Sequence, residues 1–146
     1  MNTNTLNYAS FIKTVVWVAV VSVIGNALLT VAGKIISNPP ETFGPYMYGS
    51  VIGLTLMGVV AAAIVYIVMR RYISDTAKAN RWFTILSVIV LIASFYPDVA
   101  LPWSTDANQV GWTYSIMANL MLMHVVAAVP VIYYFTRSSK AVSSSS

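Results

Sequence analysis

The chain has 146 residues, 58% of them hydrophobic and 8% charged, with a mean hydropathy of +0.76. This allows one domain and leaves too few polar residues to clothe a water-soluble globule. The formal charge of +4 does not mark a nucleic-acid binder, since the basic residues flank apolar runs, and the absence of cysteine excludes disulfides, thiol oxidoreductases, Cys-ligated zinc and iron–sulfur clusters.

Residues 1–10 form a polar lead-in rich in Asn and Thr. The first apolar span, 11–36, exceeds the roughly 20 residues needed to cross a hydrocarbon core about 30 Å thick. It is too long for a signal-peptide core of about 7–15 residues, and Val31-Ala32-Gly33 is not a cleavage site, so it is expected to be a retained helix. Ala19, Ser22, Asn26, Thr30 and Gly33 recur at helical spacing and mark its inward face. It ends before Asn38-Pro39-Pro40, because a proline disfavours helical geometry in the residue before it. Gly44-Pro45 makes a second break.

The second span, 47–70, carries Gly49-x-x-x-Gly53 on one face and Gly58-x-x-x-Ala62 on roughly the opposite one, which predicts a helix packed on both sides. The third, 81–101, runs from Trp82 to Tyr96 and is extended past Pro97 by Val99, Ala100 and Leu101; Thr84, Ser87, Ser94 and Asp98 form its inward stripe. A loop, Pro102 to Val110, is uncharged apart from Asp106 and is flanked by Trp103 and Trp112 as interface anchors. The fourth span, 111–136, holds His124 near its middle, and Pro130 predicts a kink beyond it. Residues 138–146 are a serine-rich tail expected to be flexible. Short connections between four such spans predict an all-α, polytopic membrane protein, an antiparallel four-helix transmembrane bundle over residues 11–137.

If the spans alternate, Lys13, Arg70, Arg71, Lys78, Arg81, Arg137 and Lys140 share one side, and Lys34 stands on the other with Glu41, Asp98 and Asp106. This positive-inside pattern places both termini and the second connection in the cytoplasm, and the chain in the cytoplasmic membrane. The expected partners are the lipid bilayer, anionic headgroups at the basic connection beside Tyr72 and Trp82, and a second copy or another membrane protein. No nucleic acid is expected.

Five polar side chains are candidates for a ligand site or a polar path: Asn26, Ser94, Asp98, Asn119 and His124. An ionisable or strongly polar group at membrane depth is a functional hypothesis by default, although a packing hydrogen bond is the plainer role for Asn26. At about 1.5 Å per residue, straight helices put Asp98 about 24 Å above Trp82 and His124 about 18 Å below Trp112. The two then differ by about 10 Å in depth, too far for direct contact, so an acid–base dyad of Asp98 and His124 needs a kinked third span or an intervening water, and Asn119 lies nearer the level of Asp98. His124 is expected inside the bundle, neutral and bonded to a Ser, an Asn or a carbonyl of the first or third span; Asp98 reads as a solvated carboxylate at a helix end. Met117 and Met121 share the His124 face, which fits a methionine-rich lipid face better than a haem site, and no cofactor is expected. No hydrolase, kinase, nucleotide-binding or zinc-protease motif is present, nor the buried glutamate of small multidrug exporters.

Asn26, Ser94-x-x-Pro97-Asp98, Met123-His124-Val125-Val126-Ala127-Ala128, the small-residue-rich second span and Arg81-Trp82-Phe83 together resemble a family of small bacterial four-helix membrane proteins known only as a domain of unknown function. The resemblance covers Trp17 to Arg137; the loop Pro102 to Val110 and the serine tail depart from it. It implies a fold and a place in the cytoplasmic membrane, and no activity. From the tight-packing faces, the aromatic anchors and the lack of a catalytic constellation, the expected role is non-enzymatic: an accessory subunit, or a binder of a small apolar ligand or lipid between helices. The alternative is a small-molecule or proton-coupled transporter acting as an oligomer.

Overall fold

The computed structural model describes residues 6–138; the first five residues of the lead-in and the serine tail beyond Ser138 lie outside them. The described residues fold into α1 (Tyr8–Ser37), α2 (Tyr48–Tyr72), α3 (Thr76–Ser94), α4 (Tyr96–Ala100) and α5 (Tyr114–Ser138), with short 3-10 turns in the connections and no strand. The α1, α2 and α5 helices, and the stretch Thr76–Trp103 taken together, are each long and apolar enough to cross a membrane. This is the build of a multi-pass membrane protein.

Helix ends are set by caps that an apolar run does not reveal. Asn7 accepts the Ser10 N–H through its side chain, so α1 begins inside the polar lead-in. At its other end Asn38 takes a left-handed conformation, φ 42°, and its N–H bonds the Lys34 carbonyl at 3.0 Å, with Pro39 preventing continuation. Asp75 caps α3 by accepting from the N–H groups of Ala77 and Lys78 at 2.8 and 3.2 Å. That helix therefore starts at Thr76, five residues ahead of the expected Arg81, and the second connection shrinks to residues 73–75.

Two apolar clusters hold the helices together. At the basic end Phe11, Val59, Tyr66, Phe83, Val131 and Phe135 meet, with Phe11 stacked on Tyr66 at 5.4 Å and set against Phe135 at 5.0 Å. At the opposite end Phe43, Tyr46, Val51, Leu101, Ile116, Leu120 and Met123 form the second. The start of α1 thus meets the ends of α2 and α5, while Ser37 at its other end lies 2.8 Å from Ser115 near the start of α5. Of the inward stripe of α1, Ser22, Asn26, Thr30 and Gly33 are buried as their spacing predicts, and Ala19 is half-buried against the basic-end cluster. Close approach to α1 depends on glycine. A Cβ on Gly25 would sit 2.6 Å from a methyl of Val126, and one on Gly33 would sit 2.5 Å from the Tyr46 hydroxyl.

The small faces of α2 do not behave as expected. Gly49, Gly53 and Gly58 have no atom within 4 Å of a hypothetical Cβ, so the three glycines lie bare, and only Ala62 of the two expected faces packs against the basic-end cluster. The buried face of α2 is Val51, Thr55, Val59, Ala63 and Tyr66. In lipid a small residue permits close helix contact without compelling it, since leaving it uncovered carries no hydrophobic penalty. The third span also departs from a straight rod. It breaks at Phe95, after which Pro97 lies in the first turn of α4. In α3 only Ala79, Asn80 and Phe83 are buried. The fourth span starts at Tyr114, three residues later than expected, and runs through Pro130 as one helix.

Candidate functional site

Asn26 lies in the middle of α1 and turns toward α2, where its amide donates to the Thr55 hydroxyl at 2.9 Å. Its own carbonyl accepts the Thr30 hydroxyl, also at 2.9 Å. The Asn26 side-chain oxygen and the Ser22 hydroxyl one turn away are buried without a hydrogen-bond partner. Thr55 was not singled out in the sequence; a hydroxyl on the buried spacing of α2 is the only trace it leaves there.

Asn119 does not approach Asp98. It donates to the Leu29 carbonyl of α1 at 3.2 Å and packs beside Gly33. Against the same glycine lies the Tyr46 hydroxyl, fully buried and without a hydrogen-bond partner. Burial pushes its pKa up to about 12, so the phenol keeps its proton. Ser94 bonds back to the Leu91 carbonyl of its own helix at 2.7 Å and reaches no other element.

Asp98 and His124 are brought together, contrary to the depth count. His124 Nε2 lies 3.2 Å from Asp98 Oδ2. Asn80 of α3 is level with Thr136 of α5, to whose carbonyl it donates at 2.9 Å. Counting up from that shared level, straight helices would leave Asp98 about 9 Å above His124. The break at Phe95 and the turn into α4 remove that offset. Asp98 is accordingly not a solvated helix-end carboxylate: its side chain is 10% exposed, whereas that of His124 is 40% exposed. The histidine thus sits at the edge of the bundle, not in its interior. Its polar neighbour is a carboxylate of α4, where a Ser, Asn or carbonyl from the first or third span was expected, and the Phe95 ring stands edge-on to it at 6.2 Å. The approach lies within ion-pair range but lacks hydrogen-bond geometry, so Asp98 Oδ2 has no hydrogen-bond partner among the described residues. Among the described residues no third His, Asp or Glu joins them in a metal-binding group.

The basic end holds a polar joint that the sequence reading passed over. Tyr66 of α2 donates to the Asn80 side-chain oxygen at 2.7 Å, and the Asn80 amide donates to the Thr136 carbonyl, so one side chain links α2, α3 and α5. Asn80 lies in the polar flank of its span, where an asparagine gives no signal of burial.

Next to this joint, α2 and α3 diverge and leave a shallow groove of about 350 Å³, lined by Met69, Ile73, Trp82, Ile85, Leu86 and Ile89. Trp82 and Ile85 also line a second hollow of about 520 Å³, whose other walls are Ala77, Lys78 and Arg81. The two share Trp82 and Ile85 as walls. Along α3 the lining changes from cationic through aromatic to aliphatic, moving from Lys78 to Ile89.

Residues 4–141 match the family of unknown function DUF6069, and the chain belongs to that family. No curated protein and no solved structure matches it.

Proposed function

From that family membership and the geometry of the basic end, we propose that this chain is a non-enzymatic membrane protein that binds lipid, or another small apolar ligand, along the groove between α2 and α3. The observation that carries this reading is the groove itself: a shallow apolar depression where Met69 and Ile73 meet α3, which shares Trp82 and Ile85 with a hollow that Lys78 and Arg81 line. A role as an accessory subunit has less behind it, since the bare glycine faces of α2 specify no partner. The positive-inside bias places the basic end, with both termini, in the cytoplasm, and short connections make neighbouring spans run in opposite directions. The membrane is then the cytoplasmic membrane, and the groove opens in its inner leaflet.

Mass spectrometry of the protein released from membranes under mild detergent tests the reading. Wild type is expected to retain a bound lipid or apolar molecule, and Ile85→Trp, which fills the groove, is expected to lose it. A wild-type protein with nothing bound that turns over a substrate would overturn both the binder and its non-enzymatic character.

One observation favours a second reading, proton-coupled transport along Asn26, Asp98, Asn119 and His124. The Asp98–His124 contact supplies the pair that such a path needs. Four helices are few for alternating access and no inverted repeat is visible, so the transporter would act as an oligomer. Unchanged proteoliposome flux in both His124→Ala and Asp98→Asn would eliminate it.

A further inference from the structure

We infer that the molecule seated in the α2–α3 groove is an anionic phospholipid, held by its headgroup at Lys78 and Arg81 and by an acyl chain along Ile85, Leu86 and Ile89; the inference rests on the binder reading above. The lining residues of α3 recur at the three- and four-residue spacing of a single helix face. Their order reproduces the polarity of a lipid. Lys78 and Arg81 stand at the basic end, Trp82 follows at the depth where aromatic rings settle at a membrane interface, and the aliphatic side chains lie deeper. From Lys78 to Ile89 the helix rises about 16 Å, close to the depth of one leaflet's hydrocarbon.

Charge complementarity selects the headgroup. The hollow at the mouth has two cationic side chains in its lining and no acidic one. Asp75, which caps α3 through the N–H groups of Ala77 and Lys78, keeps its negative charge, so that with Lys78 and Arg81 it leaves this end of α3 with a net positive charge. A zwitterionic headgroup would set a quaternary ammonium beside these cations, whereas a phosphodiester with an uncharged substituent meets them with net negative charge. The first turn of α3 is not the anion site, because the Asp75 cap occupies it.

Each cation near the membrane surface is worth about a fivefold preference for an anionic lipid, so the pair gives roughly twenty-five-fold. The test places wild-type protein in nanodiscs of equal phosphatidylglycerol and phosphatidylcholine and counts retained lipids by native mass spectrometry. Wild type is expected to retain phosphatidylglycerol by about that ratio, and Lys78→Gln with Arg81→Gln to retain the two lipids equally at undiminished total occupancy. Lys13→Gln, which removes an exposed cation from the same end away from the groove, is expected to leave the ratio unchanged.

No headgroup preference in wild type, or a preference that survives the double substitution, overturns the anionic assignment while the binder reading stands. A fall in the ratio with Lys13→Gln as large as that with the double variant also overturns it, since the leaflet's general charge would then be the cause. No retained lipid in wild type, or as much in Ile85→Trp as in wild type, defeats the binder reading itself. Lys78 and Arg81 are exposed, so the double variant is expected to melt with wild type, which separates lost binding from lost folding.

Discussion

Replacing Asn80 with alanine removes the hydrogen bonds from the Tyr66 hydroxyl at 2.7 Å and to the Thr136 carbonyl at 2.9 Å. Side-chain hydrogen bonds inside membrane proteins average about 0.6 kcal/mol, and buried ones elsewhere reach about 1.5. The expected loss is therefore about 1–3 kcal/mol. The value falls in the upper part of that range if desolvated partners are left behind, since the joint is buried and α3 has few other attachments. Asn26→Ala makes the control. It removes one side-chain bond, to Thr55, and with it an oxygen that has no partner, so its expected cost is no more than about 0.5–1 kcal/mol. Equilibrium unfolding in mixed SDS micelles, at constant protein and lipid concentration, reads both. An Asn80→Ala variant within about 0.5 kcal/mol of wild type, or one less damaging than Asn26→Ala, would refute the view that this joint anchors the third span.

Gly33→Ala is expected to cost about 1–3 kcal/mol, because its methyl would meet the Tyr46 hydroxyl at 2.5 Å and the Asn119 amide carbon at 3.1 Å, whereas Gly58→Ala, with open space around it, should be neutral in the same unfolding assay. Tyr46→Phe should leave stability at pH 7 unchanged or slightly raised, since the buried hydroxyl has no partner. The Tyr46 pKa is raised from 10.0 to about 12, so the folded state keeps a proton that the unfolded state loses; wild type should lose stability from about pH 10 toward pH 12, and Tyr46→Phe should flatten that part of an alkaline unfolding series. His124→Leu leaves the buried Asp98 carboxylate without the imidazole that stands 3.2 Å from it and should cost about 2 kcal/mol; adding Asp98→Leu should recover most of it, and a purely additive pair would refute the coupling. The cysteine-free chain also suits labelling of intact cells with an impermeant thiol reagent: single cysteines at Thr42 and Asn108 should react and those at Thr76 and Ser144 should not.

The four spans were legible because length and hydropathy suffice where the solvent is hydrocarbon. So was the inward stripe of α1, since Ser22, Asn26 and Thr30 have polar groups that lipid cannot satisfy. What failed were inferences that needed more than one helix. The Asp98–His124 contact was legible only as conditional on a kinked third span or a water, because a depth count at constant rise assumes straight rods, and the break at Phe95 is not a property of any single residue. The glycines of α2 misled because a small side chain is compatible with both a packed and a bare face. Asn80 was passed over because it lies among charged residues at a span's end, where an amide usually meets water; only the arrival of Tyr66 and Thr136 from two other helices makes it part of the interior. The groove was invisible for the same reason, although the basic character of its α3 wall had been noted.

The break at Phe95 gives the third span a property the others lack. A continuous helix of 30 residues, such as α1, is about 45 Å long and can meet a bilayer core of about 30 Å only by tilting or by projecting beyond it. The third span is held at Asn80 near one end and at Asp98 near the other, with a joint at Phe95 and little covering between. Phe95 keeps right-handed helical dihedrals and accepts the Val99 N–H at 3.0 Å, so the interruption is one tightened turn, and hydrophobic mismatch acting on the third span would be borne by its attachments at Asn80 and Asp98.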